Sequence, residues 1–156
     1  MTRDDPSAPS RPSAPRPPEA ARPEPPEPSS AVVAFWAEPH HATFTTHRPD
    51  GSPHVVPVCS TWDPRAGIAR VLASGDSRKV RNVLAAVDRD GLARVALCQV
   101  DGRRWATLEG RAVVRREPEL IADAERRHEA RYRRPPRPNP KRVLVEITVD
   151  RVLGRG

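Results

Sequence analysis

The sequence predicts a mainly β domain of α+β class, with an antiparallel sheet of about six strands, closed or half-closed into a barrel and flanked by short helices. Three observations carry that prediction. Runs of alternating apolar and polar residues recur from residue 42 to the end of the chain, which is the period of a half-buried strand. Asp50-Gly51 and Asp101-Gly102 stand between neighbouring runs, and such dipeptides make hairpin turns because glycine accepts positive φ. One amphipathic helix interrupts the hairpins, as in barrels rather than in alternating strand–helix folds.

Residues 1–30 differ from the rest. They hold ten of the twenty prolines and no Val, Ile, Leu, Phe, Trp or Tyr. Without large branched or aromatic side chains a segment cannot offset its own ordering entropy by burial. Pro15–Pro18 and Pro23–Pro28 favour extended polyproline conformations instead. The expectation is a disordered Pro-rich tail over 1–30 and one folded domain over 31–156.

Residues 31–38 (AVVAFWAE) read as a short helix that Ser29 or Ser30 caps. Residues 42–48 alternate and are rich in Thr and Phe, so a strand is expected there. Pro49-Asp50-Gly51 turns the chain into a second strand, 54–62. Pro57 cannot donate to a ladder, which puts that strand at an edge or bulge. A third strand covers 68–74, and Ser74-Gly75-Asp76-Ser77 ends it and caps a helix over 78–89, where Val80, Val83, Leu84 and Val87 share a face. Strands 92–100 and 104–115 form the next hairpin, with Gly110 expected at a bulge or close backbone approach. Residues 117–134 form a surface helix, acidic at its start and rich in arginine at its end. Prolines in 135–140 stop it, and Val143, Val145, Ile147 and Val149 line one face of the last strand.

The chain carries 27 Lys and Arg against 20 Asp and Glu, and the tail is nearly neutral, so the excess charge sits on the folded part. A basic domain of this size invites an anionic partner: nucleic acid, an acidic membrane or a phosphorylated cofactor. Nucleic-acid binding is not expected, because one Tyr and two Phe cannot form the aromatic row of a stacking reader. No run approaches ~18 apolar residues and no leader is visible, so a cytoplasmic chain without membrane contact is expected. Cys59 and Cys98 lack metal-ligand spacing and are expected as small apolar residues.

Three places have polar chemistry. Ser77-Arg78-Lys79 with Asn82 opens a helix, where unpaired N–H groups attract anions and an Arg fork with a Lys point charge makes a phosphate clamp. A solvated helix face is the alternative. The edge stretch His54, Val55, Val56, Pro57 and Val58 offers free backbone groups to a planar heterocycle, or is merely an edge protected by proline. Trp105, Thr107 and Glu109 share one strand face, which is either a binding wall or core. His40-His41 lack further ligands at helical or hairpin spacing, so no metal site is expected. No phosphate loop, nucleophile elbow or Cys/His nucleophile pair occurs.

In order along the chain, Asp50-Gly51-Ser52-Pro53-His54, Pro57, Ser77-Arg78-Lys79-Val80-Arg81-Asn82, Arg94-Val95-Ala96-Leu97, Glu109-Gly110-Arg111-Ala112 and Val143–Gly154 together resemble the pyridoxamine 5′-phosphate oxidase-like family, especially its F420-dependent branch. The resemblance covers about 31–154. It implies a six-stranded antiparallel split β-barrel with short flanking helices, of the FMN-binding type, working as a homodimer. It further implies that Ser77, Arg78, Lys79 and Asn82 grip a cofactor phosphate, that 54–58 lines the ring's polar edge, and that Trp105 and Thr107 complete the pocket. The implied function is hydride transfer between coenzyme F420 and a small organic acceptor, with no catalytic side chain of the protein's own. Arg78-Lys79 resembles the oxidase proper, which keeps FMN as the alternative cofactor. A non-catalytic flavin or deazaflavin carrier is the alternative function.

Overall fold

The chain runs α1 (Ser30–Ala37), β1 (Ala42–His47), β2 (Pro53–Val58), β3 (Thr61–Asp63), β4 (Ile68–Ser74), α2 (Arg78–Asp90), β5 (Ala93–Asp101), β6 (Arg104–Arg115), α3 (Pro118–Tyr132) and β7 (Arg142–Arg155), in a computed structural model that describes residues 27–155. The tail expected over 1–30 lies, except for its last four residues, outside the described residues. Among the described residues the strands form one antiparallel sheet in the order β2-β1-β5-β6-β7-β4-β3.

That order implies closure. β2 and β3 are the two edges, yet only Cys59 and Ser60 separate them in the chain. Three backbone steps reach at most about 11 Å, so the sheet has to roll until its edges meet. No ladder joins β2 to β3 among the described residues, and the barrel is split there.

The sheet has seven strands where six were expected, because the stretch 54–62 is two strands. β1 begins at Ala42, opposite Val58, so beyond Val58 no partner remains on that side. The chain crosses the split and pairs Thr61–Asp63 with β4 instead. β2 is an edge strand, as Pro57 required. The irregularity at Gly110 is present too: the β6–β7 register shifts between Glu109 and Gly110. A Cβ at Gly110 would lie 2.1 Å from the Thr148 carbonyl oxygen, so only glycine allows that approach.

The barrel is filled by the inward residues of the strands, among them Phe44, Val71, Leu97, Leu108 and Ile147, with Val80 and Val83 of α2 and Phe35 and Trp36 of α1 closing over them. Ser29 caps α1 by accepting the Val32 N–H at 3.3 Å. Ser29→Ala is expected to cost about 0.5–2 kcal/mol, seen as a lower urea midpoint with an unchanged slope.

A polar latch holds α1 to the β5–β6 hairpin. Glu38 accepts from both Arg104 guanidinium nitrogens at 2.6 and 2.9 Å and lies 2.9 Å from His40 Nε2. Arg104 first, then His40, holds the Glu38 carboxyl down to about 2. A carboxyl with a depressed pKa stabilises the fold above its unfolded value and loses that contribution as pH falls through the folded one. Stability is therefore expected to drop between pH 4.5 and about 2, and the drop should be shallower in Glu38→Gln when thermal melts are compared across that range.

α3 lies on the surface, as expected, with Ala124 its one fully buried residue. Arg131 at its end is a hub. Its guanidinium donates to the Glu38 carbonyl (3.1 and 2.6 Å), the Gln99 side-chain oxygen (2.6 Å) and the Ser60 carbonyl. The Tyr132 hydroxyl accepts the Ser60 N–H at 3.0 Å and donates to the His40 carbonyl at 2.9 Å. Together they bind α1, β5 and the Cys59-Ser60 crossing to one helix.

Candidate functional site

The N-terminal turns of α2 are fastened beside the β1–β2 hairpin by one buried contact. Asn82 Nδ2 donates to Thr46 Oγ1 at 2.9 Å, and both residues are buried. Thr46 stands opposite His54 in the ladder, so the two share the inner face of the hairpin, with Asn82 bonded to Thr46. Lys79 precedes Asn82 by three residues and shares its helix face.

Around these residues the polar groups are short of partners. Neither Arg78 nor Lys79 has an ion pair or hydrogen bond among the described residues. Lys79 is half-buried, and burial pushes its ammonium below the usual lysine range. Ser77 occupies the N-cap position, but its hydroxyl makes no cap bond and is buried without a partner. His54 Nδ1 is likewise shut off from solvent and unbonded. Burial first, and then the positive charges of Arg48, Lys79 and Arg78, lower the His54 pKa. Arg48 comes from the hairpin, where its Nη1 donates to the Pro53 carbonyl at 2.6 Å.

The structure thus brings Ser77, Arg78, Lys79 and His54 into one cationic cradle at the sheet edge. Asn82 faces inward, with its amide nitrogen engaged by Thr46. Along β2, His54, Val56 and Val58 point inward while Val55 and Pro57 point outward, so the strand offers its edge rather than five side chains to one ligand. Trp105 and Thr107 are on the opposite face from His54. Thr107 falls in the outer row Pro57–Thr43–Cys98–Thr107–Leu153, three strand spacings or about 14 Å from Pro57. Within one chain they do not meet the cradle.

Two cavities flank helices α2 and α3. One of about 420 Å³ runs behind α2, between Asn82, Ala86, Leu92 and Val95. Another of about 630 Å³ separates α3 from residues 135–142. Neither is lined by Ser77, Arg78 or Lys79. Cys59 and Cys98 are free and half-buried. Glu38, His40 and Asp101 bring donor atoms within 4.8 Å of one another, but Arg104 already engages both carboxylates.

Sequence reasoning missed Arg48, Thr46 and Arg131. Arg48 had a signal, since it stands directly before the Pro49-Asp50-Gly51 turn that carries it back to β2. Thr46 and Arg131 act through contacts distant in sequence, which spacing does not reveal.

The architecture defines the class: a split-barrel protein. A sequence model of the pyridoxamine 5′-phosphate oxidase family matches residues 29–156, and the chain belongs to that family. It is 51% identical over 126 residues to an F420H(2)-dependent biliverdin reductase of Mycobacterium tuberculosis (strain CDC 1551 / Oshkosh), covering 81% of this chain and 87% of that one. Among solved structures it resembles an F420 reductase at TM-score 0.64 and 21% identity, over 81% of this chain and 98% of that one. It also resembles a conserved hypothetical protein of Mycobacterium tuberculosis at TM-score 0.65 and 25% identity, over 81% and 84%. The two structural likenesses bear on the fold.

Proposed function

We propose that this protein is an F420-dependent oxidoreductase, moving a hydride between the deazaflavin and a small organic acceptor. The observation that carries this reading is the cradle: two unpaired cations, a buried unpaired hydroxyl and a buried unpaired imidazole nitrogen at a helix N-terminus. A phosphate accepts hydrogen bonds from all of these donor types and reverses the cost of crowding cations there. The half-identical relative supports F420 as the phosphorylated group. When bound, the deazaflavin ring supplies the hydride chemistry.

The chain's own residues bind and orient. Arg78, Lys79 and Ser77 hold the phosphate, and Asn82, through Thr46, fixes the helix that carries them. The exposed backbone of β2 from His54 to Val58 lines the ring's polar edge. The relative's acceptor suggests an open-chain tetrapyrrole, whose acid groups suit the positive balance of this chain.

A second copy completes the pocket. Val55, Val100, Trp105 and Leu153 are exposed apolar residues of the strands, and a partner covering the outer face would bring its own Trp105 and Thr107 to the ring. Sedimentation at micromolar concentration is expected to give twice the chain mass, and a monomer would overturn the shared pocket. Among the described residues no helix is long and apolar enough to cross a membrane. We place the protein in the cytoplasm and assign it no nucleic-acid partner.

FMN is the second reading, favoured by the adjacent Arg78 and Lys79. Absorbance titration with F420 and FMN decides between them, followed by turnover of biliverdin with reduced F420. Tighter binding of FMN would reject F420 as cofactor, and binding without turnover of any acceptor would make the protein a carrier.

A further inference from the structure

We propose that His54 is a proton-gated member of the anion cradle: it is neutral in the free protein and takes up a proton as the anionic group of the cofactor binds. The inference rests on the cradle holding an anion, and it adds a residue whose charge depends on occupancy.

Three features of the geometry point to it. His54 sits on the inner face with Thr46, against the helix face that carries Lys79 and Asn82. Its Nδ1 is enclosed and has no partner, so one ring nitrogen is aimed into the fold rather than into water. The charges that act on it are all positive: Arg48 from the hairpin turn, and Lys79 and Arg78 from α2. Its own strand contributes none, being Pro, Val and Val around it. From β1 the residue opposite is Thr46, and the turn's Asp50 is occupied by the Ser52 N–H and hydroxyl at 2.9 and 2.6 Å. An imidazolium there would face three cations with no counter-charge.

An anion in the cradle inverts that balance. It screens Arg48, Arg78 and Lys79, and it offers the acceptor that a protonated ring needs. The ring then gains a proton from solvent and contributes one more charge-assisted bond. Reciprocity follows: if the anion favours the proton, the proton favours the anion by the same factor. Because the bound pKa lies above the free one, affinity is full below the free value. It falls by up to about tenfold per pH unit between the two values and levels off above the bound one.

The test uses the whole chain and two ligands. Nuclear magnetic resonance follows the His54 ring through pH with and without sulfate, whose charge does not change across the imidazole titration. Sulfate is expected to raise the His54 pKa. Calorimetry with F420 near neutral pH, in buffers of different ionisation enthalpy, is expected to show proton uptake that His54→Gln abolishes while F420 still binds. The phosphate-free deazaflavin should show no His54-dependent uptake. Proton uptake that persists in His54→Gln overturns the proposal, as does failure of sulfate to bind or a His54 pKa that saturating sulfate leaves unmoved. If F420 does not bind but sulfate still raises the His54 pKa, the cofactor assignment fails and this one stands.

Discussion

Lys79→Ala is expected to weaken F420 binding about 10- to 150-fold while leaving the fold intact. The ammonium sits in the first turn of α2, where its charge opposes the helix dipole, and it is half-buried with burial already lowering its pKa. Helix stability and solvation therefore both argue against a lysine there, and a bound anion is what compensates. A charge-assisted hydrogen bond is worth about 1.5–3 kcal/mol, which converts to that range of affinity. Arg78→Ala, on the same turn but exposed, should show a smaller loss in the same direction. The assignment requires that both variants lose affinity for the phosphorylated cofactor and keep it for the phosphate-free analogue. Equal losses for both ligands would move the phosphate elsewhere. A change of under about twofold would return Lys79 to an ordinary surface role.

Arg131→Met is expected to destabilise the protein by about 1–3 kcal/mol. The substitution keeps the apolar stem but strands the Gln99 side-chain oxygen, while the Glu38 carbonyl keeps the His40 N–H and the Ser60 carbonyl keeps the Tyr132 hydroxyl. Gln99 is almost completely buried, and a buried acceptor left unpaired costs about 1–3 kcal/mol. Urea denaturation followed by circular dichroism measures the loss. A shift below about 1 kcal/mol would mean that Tyr132 alone secures the crossing. Arg131→Lys reaches fewer of the three acceptors and should recover only part of the stability.

Much of the fold was legible because local signals and tertiary structure agree. Strands 68–74 and 104–115 have the bounds that alternation and turn residues assign. The hairpin turns at Gly51 and Gly102 have the positive φ that their dipeptides require. The stretch 54–62 was misread as one strand because the residues on both sides of Cys59-Ser60 favour strand, and only the end of the partner strand dictates the break. The site was partly legible for the same reason. Ser77, Arg78 and Lys79 are neighbours in sequence, so their cluster is visible without a structure. Asn82 was also visible, but its bond to Thr46 spans 36 residues. Trp105 and Thr107 share a face as alternation demands, yet no property of the sequence says which face of the barrel that is.

The place of β7 in the sheet sets the pace at which the molecule acquires its structure. The hairpin of β3 and β4 attaches to the other strands through β7, pairing Ile68 with Thr148 across most of the domain. Hairpins such as β5–β6 form within about microseconds from neighbouring residues. The two halves remain unjoined until the distant strand arrives between them. Such reliance on remote pairing slows folding to the millisecond-to-second range. During that interval the facing edges of β4 and β6 stay open to foreign strands, and that is when the protein is most prone to aggregate.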